Sequence, residues 1–169
     1  SERHASGETL SRQHFANLAV EGELAVELAH EPAVEEFADE NQVPPCVARL
    51  FPVIELHHHV LRGELPSAGE LIAHNAINAG FVEGTSVSPS EFSGDVSLAI
   101  FADNRFLEDC TSPLLIPTIN SSLRWLAEIV RQRGDRLQPG QIVLTGSIPS
   151  LIPVINDGRI KVEAPPFGT

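Results

Sequence analysis

The chain has 169 residues and a formal net charge of −12, from 23 acidic residues against 11 lysines and arginines. That length supports one domain with a real core, and 42% hydrophobic with 20% charged residues describes a globular chain, not a disordered one. The acidic balance argues against nucleic acid and against an anionic membrane surface as partners, and no apolar run approaches the ~20 residues of a transmembrane helix.

No signal-peptide pattern opens the chain, so a cytoplasmic protein is expected. The two cysteines, Cys46 and Cys110, form no CxxC pair and no zinc-type spacing with histidine. The chain contains no methionine, so Ser1 is not expected to be a translation start.

In chain order, Ser1 to Ser11 is polar and expected to be loose. Residues 1–17 read as an N-terminal extension to a domain over 18–169. Ala19 to Leu28, AVEGELAVEL, reads as a strand whose side chains alternate between faces. Leu18, Val20, Leu24, Val26 and Leu28 share one face with Gly22. Ala19, Glu21, Glu23, Ala25 and Glu27 share the other. Neighbouring carboxylates on one face repel unless a positive group sits between them, and a hard divalent cation is one such group. An acidic solvent face has the same pattern, and Ala, Glu and Leu also favour helix.

Ala33 to Gln42 reads as a solvated connection, and Pro44-Pro45 as the start of a short helix through Leu50. Phe51 to Leu61 reads as a second strand, with Val53, Glu55, His57 and His59 on one face. Glu55 lies in an apolar run, where a buried carboxylate needs a partner, a proton or a metal. His57, His58 and His59 cannot all serve one metal from a strand, although His57 and His59 could. Ser67 and Glu70 form a capping box for a helix from Ala68 to about Asn78. His74 on that helix reads as surface, and Asn75 and Asn78 are neutral.

Phe81 to Glu83 reads as a short strand, Thr85 to Gly94 as a Ser/Pro-rich loop, and Val96 to Ala102 as a strand. The Asp103-Asn104 turn pairs that strand with Arg105 to Leu107. Ile119, Leu123, Leu126, Ile129 and Val130 follow helical spacing over Pro117 to Arg133, with Gly134 as C-cap. Gln141 to Thr145 reads as a strand, and Val154 to Glu163 as a second hairpin around Asn156-Asp157-Gly158. Short strands with two or three helices predict an α+β domain on antiparallel or mixed sheet. The small residues of Thr145-Gly146-Ser147 would let backbone N–H groups approach an anion such as a carboxylate. No GxSxG elbow, P-loop or GxGxxG is present, so serine and cysteine have no support as nucleophiles.

Together these segments resemble the fumarylacetoacetate hydrolase superfamily, in its 2-keto-4-pentenoate hydratase and 4-oxalocrotonate decarboxylase branch. The resemblance lies in VEGELAV (Val20 to Val26), FPVIELHHHVL (Phe51 to Leu61) and IAHNAINAG (Ile72 to Gly80). It continues in IPTINSSLRWLA (Ile116 to Ala127) and LQPGQIVLTGS (Leu137 to Ser147), the most specific match. It implies a mixed β-roll of the superfamily's C-terminal domain type and a Mg2+ or Mn2+ site at Glu21, Glu23 and Glu55. Thr145, Gly146 and Ser147 would lie beside the substrate, and Glu70, His57 or His59 would supply acid–base chemistry. The implied partner is a small-molecule 2-oxo acid, and the implied reaction is a hydratase-type lyase step on a 2-oxo or 2-hydroxy-dienoic acid. Decarboxylase or acylpyruvate hydrolase chemistry, or a non-catalytic binding role, are the alternatives. The resemblance also implies a homo-oligomer. The chain departs from the pattern in having no counterpart of the branch's lysine-bearing G-x-K-x-G segment. Glu70 and His74 stand where the branch has aspartates, and histidines follow Glu55 where it has a serine–aspartate pair.

Overall fold

The computed structural model describes residues 1–61, 66–91, 96–165 and 167–168. Its strands are β1 (Glu2–Ala5), β2 (Ala19–Leu28), β3 (Val47–His57), β4 (Asn78–Glu83), β5 (Ser97–Ala102), β6 (Arg105–Thr111), β7 (Ile142–Leu144), β8 (Ile152–Pro153) and β9 (Ile160–Glu163). Its α-helices are α1 (Ala68–Ala73) and α2 (Ser112–Gln132). The larger sheet runs β1-β4-β3-β2-β7, with β8 also paired to β2, and a three-stranded sheet runs β6-β5-β9. β1 pairs parallel to β4 and the other pairs are antiparallel, so the α+β fold on mixed sheet is as expected.

The alternation of β2 divides the molecule. Leu24, Val26 and Leu28 are buried with Leu50 against Leu98 and Ile100 of β5 and Ile119 and Leu123 of α2. At ~1.5–3 kcal/mol per fully buried large aliphatic side chain, this face supplies most of the apolar driving force. Gly22 lies on it because the second sheet comes close there: a Cβ would sit 2.9 Å from two carbons of Ile100 and 3.1 Å from Leu98. The opposite face of β2 and β3 holds a smaller cluster, Ala25, Phe51, Val53 and Phe81, and beside it the acidic residues. The Arg49 guanidinium lies 4.6 Å from the Phe51 ring centre and bridges Glu27 (2.6 Å) and Glu83 (2.8 Å).

Several expected boundaries move. The N-terminal residues are not loose, because backbone pairing to β4 draws Glu2–Ala5 into the sheet at its edge. No helix forms after Pro44-Pro45. β3 starts at Val47, since Val47, Leu50 and Phe51 all bury side chains when extended. β3 also ends at His57, four residues early, where a register irregularity against β4 breaks the ladder. α1 stops at Ala73, because Asn75, Ala76 and Ile77 take left-handed backbone conformations (φ 49°, 54° and 57°) that no α-helix continues. β4 accordingly begins at Asn78, three residues before the expected strand.

α2 starts at Ser112, ahead of Pro117. Pro117 removes only the bond to the Pro113 carbonyl in the opening turn, and the burial of Leu115 and Ile116 offsets that loss. The expected hairpin over Val154 to Glu163 does not form. β8 pairs with β2 and β9 with β5, while the Asp103 carboxylate accepts the Arg159 N–H. Residues 92–95, at the end of the Ser/Pro-rich loop, lie outside the described residues. Among the described residues, no helix is long and apolar enough to cross a membrane.

Cys46 and Cys110 are free and buried. Burial pushes the Cys46 thiol up to about 12 and the Cys110 thiol to about 11, which leaves neither as a thiolate at neutral pH. The close approach at Gly22 gives a direct test of the sheet packing. Gly22→Ala should lower unfolding stability by about 1–3 kcal/mol, the usual range for overpacking a core, as measured by urea titration.

Candidate functional site

The register of β2 on β3 builds the site. Glu21 stands directly opposite Glu55, Glu23 opposite Val53, and Ala19 opposite His57. Since alternate residues share a face, Glu21, Glu23, Glu55 and His57 all project from the same side of the sheet. β4 contributes Asn78, placed opposite His57. Like charges directly opposite destabilise a sheet, so a glutamate pair here needs compensation.

His57 provides part of it. Its Nε2 lies 3.1 Å from Glu21 Oε2 and 3.6 Å from Glu55 Oε2. Burial pulls the imidazole down, but the hydrogen bond to Glu21, the charges of Glu55 and Glu21 and the Ala76 carbonyl outweigh it, and its pKa lies above the ordinary value. Asn78 Nδ2 donates to Glu55 Oε1 at 2.6 Å. Nothing comparable meets Glu23. It is 1% exposed, its Oε2 accepts the Gly146 N–H, and its Oε1 has no hydrogen-bond partner among the described residues. Burial first, then the charge and close approach of the Glu55 carboxyl, hold the Glu23 carboxyl well above the usual carboxylate range.

The turn after β7 closes the site. Thr145 Oγ1 donates to the Leu24 carbonyl at 2.7 Å, and Ser147 Oγ donates to the Gly22 and Pro149 carbonyls. Gly146, at φ 97°, takes a conformation that costs glycine little, and its N–H points at Glu23. The anion met by this turn is therefore a carboxylate of the protein itself. A cavity of about 390 Å³ adjoins the same turn, walled by Ser121, Trp125, Leu126 and Leu144.

The other expected acid–base residues are not gathered here. Glu70 is exposed and accepts from Ser67 N (2.8 Å) and Ser67 Oγ (2.7 Å), closing the expected capping box. Those bonds hold its carboxyl below the ordinary range, which suits a helix cap better than a proton donor. His59 lies beyond the end of β3, so it does not share the strand face of Glu55 and His57, and its carbonyl accepts from Asn17. His58 takes the Ala16 N–H at Nδ1. His74 ends α1 at the surface. Asn78 was legible only as a neutral asparagine, since its role depends on the left-handed turn that precedes it.

The cluster suits a hard divalent cation. Three carboxylates converge, and one of them is buried with an oxygen that no donor among the described residues meets. Without a cation, such a carboxylate is a net cost. Glu23→Gln should therefore raise the stability of the metal-free protein by about 1–3 kcal/mol, read as a higher urea midpoint at neutral pH with an unchanged slope.

No family model matches the chain. A 4-oxalocrotonate decarboxylase from Pseudomonas sp is 23% identical over 124 residues, 73% of this chain and 47% of the relative. The chain thus spans about half the length of that curated relative. A solved 4-oxalocrotonate decarboxylase from Pseudomonas putida G7, complexed with magnesium and adipate, superposes with a TM-score of 0.86 at 18% identity. That match covers 98% of this chain and 64% of the other. A fumarylpyruvate hydrolase from Pseudomonas aeruginosa, in complex with Mn2+ and pyruvate, superposes at 0.69 with 16% identity, covering 99% of this chain and 71% of the other. The two solved structures share the fold laid out above.

Proposed function

We propose that this chain carries the cation site of a divalent-metal-dependent enzyme acting on small 2-oxo acids. The observation that carries this reading is Glu23, a fully buried carboxylate with one unpartnered oxygen beside two further glutamates. Glu21, Glu23 and Glu55 would hold Mg2+ or Mn2+. Solved neighbours bound to magnesium with adipate and to manganese with pyruvate support that choice of ion and ligand class. Once bound, the cation supplies Lewis-acid polarisation of the 2-oxo carboxylate.

The protein's own groups orient the rest. Gly146 N–H fixes Glu23, and the Asn78 amide fixes Glu55. Thr145, Gly146 and Ser147 form the substrate-side turn, and the adjoining apolar-walled cavity offers room for a substrate tail. His57, with Nε2 3.1 Å from the Glu21 carboxylate, is the imidazole beside this site. A hydratase would add water to a 2-hydroxy-dienoic acid at this site. The named relatives favour decarboxylase or acylpyruvate hydrolase chemistry on the same class of acid.

A second reading, a non-catalytic binding member of the fold, draws on one feature. The His57 imidazole already lies against both Glu21 and Glu55, and Glu70 is engaged in a helix cap. Calorimetric titration with Mg2+ and Mn2+, followed by turnover assays on 2-hydroxypenta-2,4-dienoate, 4-oxalocrotonate and an acylpyruvate, separates the two. The proposal predicts saturable one-site binding, weakened about 100-fold or more by Glu55→Gln, together with turnover of at least one acid. Binding without turnover favours the second reading, and no binding contradicts the metal site.

A further inference from the structure

The face that carries the three glutamates also carries an imidazole at ligand distance, which a purely carboxylate site for a hard cation does not need. Glu21, Glu55 and His57 each offer an atom within 4.8 Å of the others. Donors about 2.0–2.2 Å from one ion lie at most ~4.4 Å apart, so the 3.1 Å and 3.6 Å separations from His57 Nε2 already fall in the range that one ion spans.

The ring is 7% exposed, and its Nδ1 is buried with no hydrogen-bond partner among the described residues. The left-handed turn of Asn75, Ala76 and Ile77 delivers the Asn78 amide to Glu55. Glu23, buried with a free oxygen next to this group, is the independent sign that a ligand belongs here.

We propose that His57 is a nitrogen ligand of the cation held by Glu21, Glu23 and Glu55, so that this site prefers borderline transition ions such as Zn2+ or Co2+ over Mg2+. The inference rests on the cation site proposed above. Imidazole binds Zn2+, Co2+ and Fe2+ well and Mg2+ poorly, whereas carboxylates serve all of them. A histidine among glutamates therefore tilts selection toward the transition ions without abolishing Mg2+ binding. A histidine acting only as counter-charge would be displaced when the ion enters, whereas a ligand stays bonded to it.

The test uses the full chain loaded with Mn2+ and read by electron spin-echo modulation. Wild-type protein should show modulation from a directly coordinated 14N that converts to the 15N pattern when histidine is 15N-labelled. The signal should vanish in His57→Gln and persist in His59→Gln. In parallel, competition between Zn2+ and Mg2+ should show the wild-type preference for Zn2+ falling about tenfold or more in His57→Gln or His57→Val, with Mg2+ affinity little changed. Bound Mn2+ with no nitrogen coupling overturns the inference while leaving the carboxylate site standing. Failure of Mn2+ and Zn2+ to bind at all overturns both. The wild-type spectrum needs no variant, so a variant that fails to fold does not blunt the test.

Discussion

The antiparallel register of β2 on β3 sets Glu21 against Glu55, with Glu23 one step along the same face. That single alignment concentrates negative charge inside the larger sheet. A shift of one residue would turn the glutamates into the apolar core and Leu24 and Val26 out of it, so the core enforces the register that the site requires. The acidic cluster is thus a consequence of the hydrophobic pattern, held in place by burial of Leu24, Val26, Leu28 and Leu50 on the other side.

Charge in such a place must be answered, and the chain answers it unevenly. Glu55 has the Asn78 amide, Glu21 has the His57 imidazole, and Glu23 has one backbone N–H for two oxygens. Farther along the same face the pattern is complete: Glu27 and Glu83 both meet Arg49, and Glu83 also meets Arg3 at 2.6 Å. The contrast is informative. Where the sheet face is structural, its carboxylates are matched by arginines. At Glu21, Glu23 and Glu55, among the described residues, no arginine or lysine is paired and the neighbouring base is a titratable histidine, which leaves room for the charge that a divalent ion would bring.

Much of this was legible in the residues. The alternation in AVEGELAVEL predicted two chemically distinct faces, and the glutamate in the apolar run Val53-Ile54-Glu55-Leu56 announced a buried charge. The Ser67–Glu70 capping box and the Gly134 C-cap were also readable, because caps are set by neighbours in sequence. Pairings between distant segments were not. Nothing local in Glu2–Ala5 marks a strand, since its ladder is made by backbone groups against β4. The hairpin expected around Asn156-Asp157-Gly158 had the right turn residues, but β8 and β9 found better partners in two different sheets. Helical spacing after Ser67 ran on past Ala73 because left-handed Asn75, Ala76 and Ile77 carry no glycine to signal them. The same turn decides what Asn78 and His57 do, which is why their roles were hidden while the glutamates stood out.

The central claim is that Glu21, Glu23 and Glu55 form one cation site. Crystals grown with Mn2+ and measured at the manganese absorption edge test it most directly. The account predicts a single strong anomalous peak among these three carboxylates, within bonding distance of Glu23 Oε1. A map with no peak there, and with His57 still bridging Glu21 and Glu55 at saturating Mn2+, would contradict it.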